Sequence, residues 1–272
     1  MIINNLIKKI MEQQIINLKK NEKVVLSKKN LGNTNYRYIF TGLRWGKVII
    51  PGKKIVEKKK DIVYTGHWIQ KFLHFGPCEV RNEEIVIGKE KDKVLDIDLD
   101  SSILAYDKNK ELIDTVYYHN KLSRDGAIRH YGDDLNGSLE DYDRDNEIIR
   151  VDLSKISKEV AYMVIILNIY QHRDRDKECL IFDKIPFAEM RIYSSNLNED
   201  IKNDSDIKEL KTFAKFKMDN NPEFEGKKAL VLGAFVKKRG TCWEFVTSGE
   251  MTNEMSISQM ISGSVKKFIS SL

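Results

Sequence analysis

Short strand-like segments recur along the whole chain and constrain its fold more than any other feature. Each segment holds apolar or alternating apolar and polar residues, and turn-forming residues separate it from the next. The segments are Lys23–Leu26, Tyr36–Thr41, Val94–Ala105, Leu112–Tyr118, Glu147–Leu153, Val160–Tyr170, Ala188–Tyr193, Leu210–Phe216, Ala229–Val236 and Thr241–Val246. Because few convincing helical patterns accompany them, they predict a mainly all-β chain that folds as an antiparallel β-sandwich.

The same segments divide the chain into regions. They predict one β-sandwich domain over residues 16–250, preceded by an N-terminal extension, 1–15, and followed by a C-terminal tail, 251–272. Apolar spacing in Met1–Lys20 and in Ile257–Leu272 is partly typical of short helices. Residues 46–93 combine Pro51, Pro77, a lysine run and several aromatic residues, which predicts an irregular insertion with room for a hairpin of its own.

Charge is distributed unevenly along the 272 residues, of which 41% are hydrophobic, enough for a buried core. The overall charge is +5, yet residues 1–60 carry fifteen Lys/Arg against three Glu, a net +12, whereas residues 96–147 carry a net −8. The basic region suits an anionic partner such as a membrane surface, or reflects a lysine-rich composition without a partner. It lacks the interleaved aromatic residues of single-strand binders, so a nucleic-acid partner is not expected.

The cysteines and the apolar runs bear on the cellular compartment of the protein. Cys78, Cys179 and Cys242 are far apart and form no CxxC motif, which is typical of a reducing compartment such as the cytoplasm. No apolar run approaches the roughly 20 residues that span a membrane. Asn and Lys interrupt the apolar pairs of Met1–Ile10, so a signal peptide is not predicted, although an amphipathic helix there would suit peripheral association with a membrane.

The first acidic patch alternates along a predicted strand. Asp96, Asp98 and Asp100 occupy every second position, and alternate residues of a strand share one face at a spacing of about 6–7 Å. Ile97 and Leu99 would then point to the core. Three carboxylates on one face repel one another, and Asp disfavours strands, so the row predicts a compensating cation.

The second acidic patch comprises two loops, Gly132–Gly137 and Asp141–Glu147, that are rich in Asp and Asn. Calcium takes about six to eight oxygen ligands from carboxylates, amides, backbone carbonyls and water, and these loops supply that class of ligand. Nitrogen and sulfur ligands are scarce here, so zinc or copper is not expected. The alternative interpretation is a solvated acidic rim in which Asp and Asn only form turns.

An EF-hand loop is the nearest short calcium motif, and the sequence does not fit it. Asp141, Asp143 and Asp145 match the first three ligand positions of that loop. However, Asn146 stands where the loop needs glycine, and Asp152 stands where it needs a bidentate glutamate. Residues 147–153 also alternate like a strand, so the EF-hand interpretation is rejected.

A set of motifs follows a recognisable order along the chain. They are Leu18–Leu26, Gly42–Trp45, Asp96–Ser102, Val116–Asn120, Ser123–Ala127, His130–Gly137, the acidic end with Asp143, Asp145 and Glu147, and then Ala188–Ile192 and Gly233–Gly249. In this order they resemble the TerD family of bacterial tellurite-resistance and stress proteins, which also includes cAMP-binding proteins of slime moulds. The resemblance spans most of residues 16–250. It implies a TerD-type β-sandwich that binds two Ca²⁺ ions and has no established enzymatic activity.

The resemblance also implies which residues hold calcium, on the first acidic strand and in the two acidic loops. The implied ligands are Asp98, Asp100, Ser102, Asp133, Asp134, Asn136, Gly137, Asp143, Asp145 and Glu147, with Asp96 and Asp141 as additional candidates. Gly46 and Asn146 stand where the family usually has Asp, which leaves the number of ions open. His130, beside the acidic loop, suits either a hydrogen-bond partner of a ligand or an ordinary turn histidine.

The function expected from these residues is that of a calcium-binding module in stress response or tellurite resistance, acting as a non-enzymatic scaffold or adaptor. The expected partners are calcium ions and, beyond them, other proteins of a stress complex or an anionic membrane surface. No GxSxG, P-loop or dinucleotide motif is present. The alternatives are a calcium-dependent adaptor on anionic membranes, a metal-dependent hydrolase that uses the same carboxylates, and a cyclic-nucleotide-binding protein.

Overall fold

The computed structural model describes residues 16–19, 22–25, 37–137, 145–170, 182, 185–195, 211–218, 222–238 and 242–272. The chain divides into two compact units, one comprising Met1–Val48 with Asp96–Leu272 and the other comprising Ile49–Leu95. Strands and helices are numbered below in chain order. The domain boundaries drawn from the sequence, including 46–93 for the insertion, remain predictions.

The first unit contains two six-stranded sheets. In spatial order the first sheet holds β1 (Ile16–Asn17), β14 (Lys211–Lys217), β13 (Ala188–Ser195), β3 (Tyr38–Trp45), β11 (Glu147–Asp152) and β10 (Ile128–His130). The second sheet holds β2 (Lys23–Val25), β16 (Trp243–Thr252), β15 (Ala229–Lys237), β12 (Tyr162–Tyr170), β8 (Asp98–Tyr106) and β9 (Leu112–Val116). The pairs are antiparallel except β1 with β14. The predicted all-β β-sandwich is confirmed.

Strand β12 is almost entirely apolar because both of its faces are covered. Alternate residues share a face, and one face carries Val164 and Ile166, which pack in a buried cluster with Val265 and Phe268. These two partners lie on helix α3 (Ser264–Ser271), which follows helix α2 (Ile257–Ser262). A strand that is buried on both faces loses the polar alternation of a half-exposed strand. The C-terminal tail is therefore helical, as its spacing predicted, and covers the second sheet.

The second unit is built around a two-stranded antiparallel ribbon. Strands β5 (Lys54–Tyr64) and β6 (Cys78–Lys89) pair along their length, and helix α1 (Trp68–Phe72) lies in their connection. Two short strands, β4 (Val48–Ile50) and β7 (Lys93–Leu95), form a separate pair. The predicted hairpin is present, but the segment is more regular than the predicted irregular insertion. Cross-strand neighbours of opposite charge, such as Lys58 and Glu84, support regular pairing that the proline and lysine content concealed.

The predicted strand Val94–Ala105 is interrupted in the structure. It is divided between β7 and β8, and Asp96 and Ile97 lie outside both strands. The indole nitrogen of Trp45 donates to the Ile97 carbonyl at 2.8 Å, and Lys47 Nζ lies 2.7 Å from Asp96 Oδ1. The Ile97 carbonyl, a backbone group that a continuous strand would pair with a neighbouring strand, is thus used by a side chain. The break could not be foreseen because both partners come from β3 and the residues that follow it.

The N-terminal region also differs from its prediction where the structure describes it. Residues Ile16–Asn17 form a strand that pairs in parallel with β14, rather than the end of a helix. The remainder of the predicted extension, 1–15, lies outside the described residues. No helix in the described part of the chain is both long and apolar enough to cross a membrane.

Candidate metal centre

Three aspartates of the first unit bring their carboxylates together. Asp98 opens strand β8, Asp100 lies two residues further on the same face, and Asp133 lies in the loop after β10. One oxygen of each lies within 4.8 Å of the others, and no other group of this kind occurs among the described residues. Asp100 is buried, Asp98 is partly buried and Asp133 is exposed. The group therefore reaches from the sandwich to the surface.

A buried glutamate adds a fourth negative group nearby. Glu147 opens strand β11 of the opposite sheet, and its Oε2 accepts hydrogen bonds from Ser101 N at 2.8 Å and Ser101 Oγ at 2.7 Å. His130 Nε2 lies 3.6 Å from the same oxygen. His130 Nδ1 accepts from Gly132 N at 3.3 Å, which leaves Nε2 to carry the ring proton. His130 Nε2 thus faces Glu147 at a distance too long for a hydrogen bond, and the choice between its two interpretations stays a prediction.

Several oxygens around this group are buried without a hydrogen-bond partner. Buried polar atoms are normally paired, because an unpaired one costs its lost hydration. The oxygens without a partner in this region are Asp98 Oδ1, Asp100 Oδ2, Ser102 Oγ, Glu147 Oε1 and Asn168 Oδ1. Apart from the Ser102 hydroxyl, which can also donate, these atoms are acceptors, and a cation would stabilise such a set.

The pKa values of Asp98 and Asp100 are raised by burial and by the same uncompensated negative charge. Burial, followed by the charge of Asp133, raises the pKa of Asp98 to about 7. Burial, followed by the charge of Asp98, raises the pKa of Asp100 to about 8. The Glu147 charge contributes to both shifts, and burial raises the pKa of Glu147 itself. Within the described residues, no Lys or Arg forms an ion pair with Asp98, Asp100 or Asp133.

The loop that carries Asp133 is held by contacts to Trp45 and Asn146. Gly137 has φ of 68°, and a Cβ there would lie 2.7 Å from the Trp45 ring, so the loop packs closely on the indole. Asn146 Oδ1 accepts from Trp45 N at 3.0 Å, while Asn146 Nδ2 donates to Asp134 Oδ2 at 2.9 Å. Asp134 Oδ1 accepts from Asn136 N at 3.0 Å. Asn146, noted in the sequence only as a replacement, thus fixes the acidic loop.

Asp145 does not fit its predicted role as a ligand. Its Oδ1 accepts from Arg191 Nε at 2.8 Å, and its Oδ2 accepts from the Tyr193 hydroxyl. Both partners lie on β13, in the other sheet from β8. A carboxylate whose two oxygens are engaged by an arginine and a tyrosine is already compensated. Asp145 stabilises the first sheet, and it is not part of the aspartate group.

The other predicted ligands have different positions. Asp96 lies before β8 and pairs with Lys47, so it does not extend the row of Asp98 and Asp100. Ser102 lies on β8 on the same face as Asp100 and is buried. Asp141 and Asp143 lie outside the described residues.

Two residues near the group escaped the sequence analysis. Asn168 on β12 stands directly opposite Asp100 and hydrogen-bonds to it. It is the one polar residue within the run Met163–Ile169, and this isolation in an apolar strand was a usable signal. Burial, followed by the charge of Asp100, raises the pKa of Tyr118 to about 12, which places its phenol close to the group. Its position depends on tertiary packing.

The fold and the site together define a class of protein. It is a β-sandwich with a carboxylate-lined site between loops and strand ends. Comparison with known families narrows this class. The family model for the TerD domain matches residues 78–262, more than half of the chain. The chain belongs to the TerD family, and the predicted resemblance is confirmed.

Known relatives carry names from stress response and tellurium resistance. Over 168 residues the chain is 28% identical to stress response protein SCP2 of Bacillus subtilis, covering 61% of this chain and 74% of that protein. Over 75 residues it is 35% identical to tellurium resistance protein TerZ of Serratia marcescens, covering 28% of this chain and 37% of that protein. Neither name denotes an enzyme.

A solved structure supports the fold. The protein of unknown function SAV2460 aligns with a TM-score of 0.51 at 14% identity, covering 83% of this chain and 95% of that one. At this identity the likeness concerns the fold alone.

Proposed function

We propose that this chain is a calcium-binding module of the TerD stress-response and tellurite-resistance family. The observation that carries the proposal is the buried Asp100, whose Oδ2 has no hydrogen-bond partner and whose carboxylate lies beside those of Asp98 and Asp133. Such a group is unfavourable without a cation, because burial and mutual repulsion both oppose its ionisation. A bound divalent cation would remove both effects.

The chemistry of the donor set supports calcium over zinc and copper. The candidate ligands are carboxylate oxygens of Asp98, Asp100 and Asp133, with unpartnered oxygens of Glu147 and Asn168 close to them. Hard oxygen donors of this kind suit Ca²⁺, whereas zinc and copper favour nitrogen and sulfur. His130 is the nearest nitrogen donor, and its Nδ1 accepts from Gly132 while its Nε2 faces Glu147. When bound, calcium would supply positive charge that joins β8 to the acidic loop.

A non-enzymatic role is part of the proposal. Ser101, His130 and Glu147 lie together, but the Ser101 hydroxyl donates to Glu147 and not to the histidine. Ser101 is also buried, so it is not arranged as a nucleophile with a base and an accessible substrate. The names of the relatives agree with a resistance or stress role. Screening the purified chain against phosphoesters, with and without calcium, would detect a metal-dependent hydrolase and so contradict this part.

Isothermal titration with Ca²⁺ tests the binding, and its stoichiometry tests the predicted two ions. We expect the melting temperature to rise with calcium and to fall back with chelator, because a ligand that binds only the folded state stabilises it. Asp98→Asn should abolish the response, whereas Asp96→Asn, which alters the carboxylate paired with Lys47, should retain it. If millimolar calcium produces no heat and no melting shift, the proposal is refuted. The predicted partner proteins and membrane adaptor role remain predictions.

A further inference from the structure

The connection between β5 and β6 turns its apolar side chains outward. We call residues 65–77 the ribbon tip. Within it Trp68, Ile69, Phe72, Leu73 and Phe75 are all exposed, Trp68 by 68% and Phe72 by 76%. Single exposed apolar residues are ordinary on a protein surface, but five within eight residues of one loop indicate an interaction site.

The ribbon tip folds around a polar side chain instead of an apolar one. Gln70 Oε1 accepts from His67 N at 2.9 Å. A Cβ at Gly66 would lie 2.1 Å from Gln70 Oε1, and Gly76 also lies against Gln70, so this side chain fills the inside of the loop. An ordinary surface loop has the reverse arrangement, with polar side chains in water.

The backbone of the ribbon tip satisfies many of its own hydrogen bonds. Thr65 N donates to Pro77 O at 2.9 Å and closes the loop, Phe75 N donates to Gln70 O at 3.0 Å, and Leu73 N donates to Ile69 O at 2.9 Å. Peptide groups that enter an apolar environment must be paired internally, because no water is available there. The ribbon tip therefore meets a condition for entering the boundary between lipid headgroups and acyl chains.

The charge of the ribbon tip suits an anionic surface. Residues 62–78 contain no Asp or Glu, and Lys71 is accompanied by His67 and His74. Trp, Phe and Leu beside basic residues are typical of segments that lie in a membrane interface. A protein interface usually has a polar rim for specificity, whereas the central polar side chain of this loop, Gln70, faces inward.

We propose that the ribbon tip inserts shallowly into a lipid bilayer that carries anionic headgroups. Trp68, Phe72 and their apolar neighbours would enter the interface, and Lys71 would lie among the headgroups. This inference does not rest on the proposed calcium site, which belongs to the other compact unit. It also assigns a role to the segment that the family resemblance left unexplained.

Vesicle co-sedimentation of the full chain in chelator tests the proposal. The vesicles are phosphatidylcholine alone and phosphatidylcholine mixed with phosphatidylglycerol. We expect binding to the mixed vesicles with a blue shift of tryptophan emission. That shift reports Trp68, because Trp45 and Trp243 are buried. Replacing both Trp68 and Phe72 by Ser should lower vesicle partitioning about tenfold or more, since two large apolar side chains no longer leave water.

A matched control removes exposed apolar residues elsewhere. Leu122 and Met255 are each 53% exposed and lie in the first unit, so Leu122→Ser with Met255→Ser should leave partitioning unchanged. The proposal is overturned if neither vesicle sediments the chain, or if the tip variant binds as well as the parent. A blue shift without vesicles that grows with protein concentration, together with a larger sedimentation coefficient, would identify a second copy as the occupant. Equal binding to phosphatidylcholine alone would overturn the role of anionic headgroups.

Discussion

Replacing Asp100 by Asn separates the cost of a buried carboxylate from its use in binding calcium. In the folded chain the pKa of Asp100 is raised from 3.8 to about 8. At pH 7 the unfolded chain carries this group ionised, so folding must take up a proton or bury a charge. Between pH 3.8 and the raised pKa, each pH unit lowers the free energy of unfolding by about 1.4 kcal/mol. The destabilisation at pH 7 is therefore at most about 4 kcal/mol.

Asn keeps the size of Asp100 and can still hydrogen-bond to Asn168, but it carries no charge. Because Asp98 shares the repulsion, we expect Asp100→Asn to stabilise the calcium-free chain by about 1–3 kcal/mol. For a unit of this size that raises the melting temperature by several degrees. Calcium at a thousandfold excess over the dissociation constant should reverse the order, because the parent then gains about 4.1 kcal/mol. The variant, which lacks one ligand, should gain little.

Calorimetric melting and urea unfolding, each in chelator and in calcium, measure both effects. Glu111→Gln is the matched control, because Glu111 is exposed and belongs to the same unit. This substitution should change neither the calcium-free stability nor the calcium response. The reasoning is refuted if Asp100→Asn destabilises the calcium-free chain, or if the variant responds to calcium as the parent does.

Three further predictions follow from the same geometry. The pKa values of Asp98 and Asp100 are raised in the folded chain, so these groups contribute stability below about pH 4 that is lost as the pH rises through about 7 to 8. Because calcium binds the ionised carboxylates, the calcium-induced melting shift should be larger at pH 8 than at about pH 5. Equal shifts at the two pH values would contradict this prediction. Ser101→Ala removes a hydroxyl donor from Glu147 and should lower the free energy of unfolding by about 1–3 kcal/mol in urea titrations; no loss would show that the bond contributes nothing. Gly137→Ala should weaken calcium binding in titration calorimetry and destabilise the fold, because its Cβ would meet Trp45. Gly226→Ala is the control for backbone strain alone, because Gly226 has a similar φ of 71° and no neighbour within 4 Å.

Local patterns predicted much of the fold. Strand β12 was visible as Val160–Tyr170, and β15 as Ala229–Val236, because short runs of β-branched and apolar residues between turns are strong local signals. The features that the local patterns missed have two different causes. In residues 46–93 the lysines and prolines concealed the length of the predicted hairpin, because its regularity depends on cross-strand pairing. Strand β10 has only three residues, too few for a period to be recognised.

The sequence by itself determined the β class, the family and the acidic character of the candidate site. Alternation places Asp98 and Asp100 on one face, since consecutive side chains of a strand point to opposite sides. Only the tertiary structure decided which acids meet. It brings Asp133 to the two strand aspartates, leaves Glu147 beside them with one free oxygen, and pairs Asp145 with Arg191. These partners are far apart in the chain, and only the pairing and packing of strands brings them together.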